Sequence, residues 1–398
     1  MNYFNKQIIA ISTVATFSFA APAFAIDAQD FADKLSETVS LMTSTQVNFN
    51  NVEVKGDNVI VKGINIPELT NDASKPLIES TIIFEGVTEN GDGSYSIENA
   101  SFEDINYIGD DVNIKVNDIS LSKILISANP LENILDTMKV YQEFKTGSIL
   151  ISYEDDEYVK VDSVTASIIP TDDIDFVSQF AINGLYIDLT KIDDEEAEEV
   201  FSKLGVNAID GNIIAQSTWT TSNGRITIDE FSIDLKNIGR LNITMELLGY
   251  TLDVVKNVYT AQKQLLEIDP SSAEYEAKTM EMLMSIVSEL SFVDFSFSFA
   301  DGGITNKAID YIAAEQGSDR KQFVDGISAM APALLAEFNV PDLQAQVGEA
   351  VSVYLNDPQN FEIKVAPSNP APLMAFMALA SNPPALLAMI NLSIKANQ

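Results

Sequence analysis

One pattern, apolar-x-apolar-x-x-apolar-x-apolar, recurs along this chain and constrains its fold more than any other feature. It is present as Val47, Phe49, Val52, Val54; as Val59, Val61, Ile64, Ile66; as Tyr95, Ile97, Ala100, Phe102; as Ile114, Val116, Ile119, Leu121; as Val159, Val161, Val164, Ala166; and as Ile226, Ile228, Phe231, Ile233. Alternation marks a strand with one buried face. Each copy alternates, slips by one residue, then resumes in the opposite phase. The residues at the slip are NN, KG, EN, ND, DS and DE, and most copies follow a turn such as GDN (56–58), NGDG (90–93) or GDD (109–111). These are mostly types that tolerate bulged or turned backbone. A β-bulge accounts for the slip, because one extra residue restores the facing and puts all four apolar side chains on one side. A competing reading makes each slip a tight turn between very short strands.

Repeated bulges bend and twist a sheet. The predicted fold class is therefore α+β: a long curved, bulged antiparallel β-sheet with one apolar face, covered by helices, with a helical C-terminal region. The copies are irregularly spaced, so the chain is no fixed-period solenoid.

Helical periodicity predicts helices over 26–45, 130–144 and 193–205, and over 252–290 with a break at DPSS (269–272). Further helices are predicted over 304–316, 319–338 and 341–356. SFVDFSFSF (291–299) reads as a strand whose Val293, Phe295, Phe297 and Phe299 stripe is core. SNPAPLMAFMALA (368–380) is followed at once by SNPPALLAMINLS (381–393). Each copy predicts a short helix with a Ser or Asn cap and Pro in its first turn. Together they read as a buried helical hairpin or as an apolar plug over a ligand.

The first 25 residues carry Lys6, an apolar run from Ile8 to Ala21, and Ala23-Phe24-Ala25. This is the grammar of a signal peptide cleaved after Ala25; an uncleaved anchor is the alternative. The expected organisation is a signal peptide over 1–25, a curved antiparallel sheet domain with helical insertions over 26–300, and a mainly helical region ending in a strand over 301–398. The expected location is the periplasm, with no integral span in the mature chain.

The formal net charge of −36 repels phosphate backbones, which argues against nucleic-acid binding. There is no cysteine and no histidine. That removes disulfides, thiolate and Ser-His chemistry, and the usual zinc ligands. Ser120-x-x-Lys123, Ser127-x-Asn129 and Lys145-Thr146-Gly147 imitate the order of penicillin-binding enzymes but crowd into one short stretch. NGDGSYS (90–96) lacks the Gly and the final acid of a calcium loop and reads as a hairpin turn. DDID (172–175) and DDEE (193–196) read as solvated turn and helix-start acids, and Trp219 as core. No cofactor or metal site emerges.

NGRITIDEFSIDLKNIGRLNITMEL (223–247) runs as turn, amphipathic strand, Asp-Glu slip, strand, Asn-Ile-Gly, strand. In this grammar it resembles the AsmA-like envelope proteins, over roughly 47–247 and 291–299. The resemblance implies a curved antiparallel sheet with an apolar groove thought to hold lipid, and no catalytic residues. Such proteins usually keep an N-terminal membrane anchor, whereas a cleavable signal is the expectation for this chain.

The expected function is thus a non-enzymatic periplasmic protein with an apolar groove, handling lipid or another hydrophobic ligand or serving envelope homeostasis. The groove is expected at Val61, Ile64, Ile97, Phe102, Ile114, Ile119, Val161, Val164, Ile228, Phe231, Phe295 and Phe297. One alternative is a structural or protein-interaction envelope protein with a filled core. Another is a carboxylate-dependent hydrolase, although no pair of acids is singled out by spacing.

Overall fold

A computed structural model describes residues 26–43, 46–65, 78–109, 112–129, 140–153, 156–171, 175–191, 194–266 and 268–398. The predicted signal segment, Ile66, most of the predicted helix over 130–144 and most of DDID lie outside these residues. The strands are β1 Asn48–Lys55, β2 Asn58–Asn65, β3 Ile78–Glu85, β4 Thr88–Glu89, β5 Tyr95–Phe102, β6 Ile105–Ile108, β7 Val112–Val116, β8 Ser120–Ile126, β9 Glu143–Thr146, β10 Ile149–Tyr153, β11 Asp156–Val161, β12 Ser163–Pro170, β13 Phe176–Asp188, β14 Ala208–Thr220, β15 Arg225–Leu235, β16 Gly239–Leu248, β17 Ser291–Asp301, β18 Asn360–Val365, β19 Ala371–Pro372 and β20 Leu392–Ala396. The helices are α1 Ala28–Thr43, α2 Glu195–Leu204, α3 Leu252–Leu266, α4 Ala273–Glu289, α5 Ile304–Glu315, α6 Arg320–Ala333, α7 Pro341–Asn356, α8 Leu373–Leu379 and α9 Pro383–Ile390.

All strands join one curved antiparallel sheet that meanders in chain order. Among the described residues β1 pairs only with β2 and β20 only with β18, so the sheet is open. The α+β class follows directly, and no described helix is long and apolar enough to cross a membrane.

The expected bulges account for some of the phase slips, and a slip shared between strands accounts for the others. True register shifts occur at Lys62/Ile64 against β3 and at Ile228/Phe231 against β16. In the other copies the slip is shared by neighbouring strands, so register is the same on both sides. β5/β6, β7/β8, β9/β10 and β11/β12 are long strands, each interrupted once. The interruptions align into a crease. Asp118 N donates to Asp104 Oδ1 (3.0 Å), Gly147 N to Asn117 O (2.8 Å), Asp162 N to Asn183 O (2.9 Å) and Gly184 N to Asn212 Oδ1 (3.0 Å). Asp118 and Gly184 adopt left-handed backbone (φ 54° and 63°). Lys123 (φ 51°) and Gly86 (φ 65°), flanking Glu98, form a second line. A slip shared by partners preserves pairing while turning every following side chain to the same face.

The consequence is an unbroken apolar row. Val54, Val59, Phe84, Ala100, Leu121, Phe144, Ala166, Phe180, Ala215, Phe231, Ile243, Phe297, Ile363 and Ile394 stand each opposite the next, from one sheet edge to the other. In its centre large and small residues alternate. The row carries one correction: Phe144 was expected in a helix over 130–144, but Glu143 and Phe144 open β9. Pairing with Leu121 on one side and Ala166 on the other overrides the local helical period.

Helix α1 covers the first third of this face. Phe31 and Leu35 insert among Val59, Val61, Phe84, Tyr95, Ile97 and Ile126 in a closed core. Phe31 meets Phe84 and Tyr95 edge-on at 5.4 and 5.2 Å. Helix α3 covers one side of the middle, where Val255 packs with Phe176 and Trp219. The C-terminal helices flank the last strands, with Tyr354 of α7 on Phe361 and Phe376 of α8 on Phe292.

Local signals set most helix ends. Asp194 caps α2 by accepting from Ala197 N, and Gly205 stops it in left-handed backbone. Ser272 caps α4 and Asp319 caps α6. α6 ends near Pro332, short of the predicted 338, because proline removes a helix donor. In the C-terminal duplication only the second copy behaves as expected, with Asn382 capping Ala385 N. In the first copy Ala371 and Pro372 pair with Phe292 and Ser291 as a short strand, so no side chain caps α8. Neither helix holds a fully buried residue, which corrects the buried-hairpin reading.

Candidate functional site: the uncovered middle of the apolar face

Between the α1-covered third and the C-terminal helices, the apolar face opens into a groove of about 400 Å³. Its floor is built from adjacent positions of β12 to β15. Ala166, Phe180, Ala215 and Phe231 come from the row described above. Ser178, Ser217 and Ile228 form the next row, which continues as Met245, Phe295, Val365 and Leu392. Tyr141 and Ile168 complete one wall. Phe180 remains 37% exposed, and Ala215 between Phe180 and Phe231 leaves the depression. A second cavity of about 410 Å³ lies at the β20 edge, between the start of α7 and α9, lined by Val340, Leu343, Pro384 and Leu387.

Among the described residues no charged side chain lines the groove; Ser167, Gln179 and Gln216 are its polar margin. The opposite face of the same strands is polar. There Gln179, Gln216 and Glu230 align, Glu230 pairs with Arg240 (2.6 Å), and Arg225 pairs with Glu246 (2.8 Å). The carboxyls displaced from their ordinary range all move down. Hydrogen bonds from Lys145 hold Glu143 low, those from Thr190 hold Asp188 low and those from Lys203 hold Glu199 low. That is the behaviour of ion-paired and turn-capping acids; a general acid needs the opposite shift. Among the described residues no group of three or more acids is arranged to hold a metal ion. Asp92 of the NGDG turn accepts from Ser94, closing the β4–β5 hairpin.

The predicted groove residues divide three ways. Val61 and Ile97 belong to the core under α1, at 0% and 3% exposure, and the half-buried Ile64 and Phe102 pack against it. Val61 and Ile97 are therefore closed off from any groove surface. Ile114 and Val161 pack beyond the crease, on β7 and β11, and Ile119 and Val164 lie beside it. Ile228 and Phe231 line the groove, and Phe295 and Phe297 extend its two rows onto β17. Trp219 is core, stacked on Phe176 at 5.7 Å with Nε1 donating to Tyr250 O.

Sequence reasoning missed Ser178, Phe180, Ala215 and Ser217. Their signal is simple alternation, Phe176, Ser178, Phe180, Ile182 on β13 and Ile213, Ala215, Ser217, Trp219 on β14. On β13 it runs into a slip of its own, Phe180, Ile182, Leu185 and Ile187 around Asn183-Gly184, which the sequence reading did not use, and the serines dilute the apolar pattern.

A protein-family model described as an uncharacterized protein matches residues 232–397. Its first residue, Ser232, falls inside β15, so the match begins within the groove's own floor strand. No curated protein matches the chain.

Proposed function

We propose that this protein is an exported, non-enzymatic periplasmic binder of hydrophobic ligands, acting in lipid handling or envelope homeostasis. The observation that carries the reading is the groove over Phe180, Ala215 and Phe231, without a charged side chain among the described residues, on a face that is filled and helix-covered in its first third. A soluble chain leaves a contiguous apolar surface bare when something else covers it. The volume lies within the range of small-molecule sites. The export signal at 1–25 and the AsmA-like strand grammar of 223–247 point the same way.

The test is purification from the periplasm, organic extraction and mass spectrometry of what co-purifies. The expected result is a stoichiometric lipid, lost in Phe231→Asp. Ala215→Leu fills the depression without adding charge and should lose the lipid too, which guards against a variant that merely misfolds. A clean, normally stable protein, or a lipid unmoved in both variants, overturns the proposal in favour of a structural or protein-interaction role.

A further inference from the structure

We infer that the groove selects amphiphiles with an uncharged, hydrogen-bonding head and turns away anionic ones. The inference rests on the binder reading above and specifies its ligand. Ser178 and Ser217 stand directly opposite each other, one row from Phe180 and Ala215. Both line the groove, and neither hydroxyl has a protein partner; the same holds for the Tyr141 hydroxyl on the wall. These are three half-buried hydroxyls without a protein partner at one end of the groove, whose polar margin is Ser167, Gln179 and Gln216. From them the floor runs through Ile228 and Met245 to Phe295, a track for a single apolar chain.

Charge decides which head fits. A charged head leaving water needs a counter-charge. The described residues of the groove offer none: the nearby Lys145 lies on the opposite face, tied to Glu143 at 2.9 Å. An anionic head also meets the field of a chain carrying −36. A cationic head gains from that field at long range but finds no carboxylate in the groove. A hydroxyl, ester or amide head loses little and can exchange hydrogen bonds with the serine pair.

The single tryptophan, Trp219, sits two residues from Ser217 on β14, so quenching of its fluorescence by chain-brominated amphiphiles reports occupancy. Three probes of equal chain length are titrated at low salt: a monoacylglycerol, a fatty acid and an alkyl trimethylammonium. The monoacylglycerol should bind at least roughly tenfold tighter than either charged probe. Ser178→Ala with Ser217→Ala should abolish that preference while leaving chain binding. Equal binding of all three, or a preference unchanged in the double variant, overturns the head-group inference and leaves the binder reading standing. Failure of every probe to bind overturns both.

Discussion

At the scale of single residues, the contact that fixes α1 on the sheet is polar. Tyr95 is fully buried, yet its hydroxyl donates to Asp30 Oδ2 at 2.7 Å. Lys34 donates to the same carboxylate at 2.6 Å and to Gly93 O at 2.8 Å, and its ammonium lies over the Tyr95 ring. Burial pushes the Asp30 carboxyl up, but the hydrogen bonds from Lys34 and Tyr95 outweigh it and hold the group below the usual carboxylate range. Tyr95 moves the other way, raised by burial and then by its bond to Asp30. A depressed folded-state value means that Asp30 stabilises the fold above its unfolded pKa of about 4, and that this is lost as pH falls through the folded value. Asp30 is 42% exposed, so solvent screening keeps the effect near 1 kcal/mol. Asp30→Asn should therefore unfold more easily than the parent in denaturant titrations at neutral pH, and the two curves should converge in acid, once the pH has fallen below the depressed folded value of Asp30. A gap that persists in acid would mean that packing, not the charged hydrogen bonds, is what Asp30 supplies.

At the scale of elements, the crease is the device that lets one chain build one apolar face. Gly184 shows its requirements. Its φ is 63°, and an added Cβ would lie 2.1 Å from Asp162 Oδ2. Gly56 has a similar φ of 69° but open space around its missing Cβ. Gly56→Ala should cost about 1 kcal/mol, the backbone penalty alone, and Gly184→Ala about 1–3 kcal/mol, with Asp162→Ala recovering the excess. Equal midpoints for the two glycine variants would show that the crease tolerates crowding. The crease also explains what was legible beforehand. The slips at ND (117–118) and DS (162–163) announced a turned backbone in each strand, because Asn and Asp bond their own main chain. Alignment of the slips across strands is a tertiary fact: no single strand reveals that Asp118 will face Gly147. Helices with both a cap and a stop, such as α2 between Asp194 and Gly205, were readable almost to the residue. Where pairing decides, the reading failed. Phe144 became strand, Asn360–Val365 went unread as β18, and the serine-bearing floor of the groove was overlooked.

At the scale of the whole molecule, the meander makes stability local. With β5/β6, β7/β8, β9/β10 and β11/β12 each taken as one creased strand, pairing follows chain order through most of the sheet, and covering elements are spread along it: α1 over the first third, α3 over one side of the middle, and α7 and α8 near the far end. Such a sheet behaves as a near one-dimensional stack, in which a local loss need not travel. Phe31 is the residue on which this can be decided, since it is fully buried and sits at the centre of the α1 core. Phe31→Ala removes its edge-on contacts with Phe84 and Tyr95 and should cost about 3–5 kcal/mol at that site. Amide hydrogen exchange then reads how far the loss spreads. In the parent protein β2, β5 and β8 should exchange more slowly than β13 to β15, whose apolar face is open over the groove. In Phe31→Ala the protection of β2, β5 and β8 should fall, while β15 to β17 change little. A uniform rise in exchange from β1 to β20 would instead make the sheet one cooperative unit, and the groove would then be only as rigid as the core under α1. Local behaviour would carry the opposite consequence for the proposed binder: the floor at Phe180 and Phe231 would then open without loosening the core under α1.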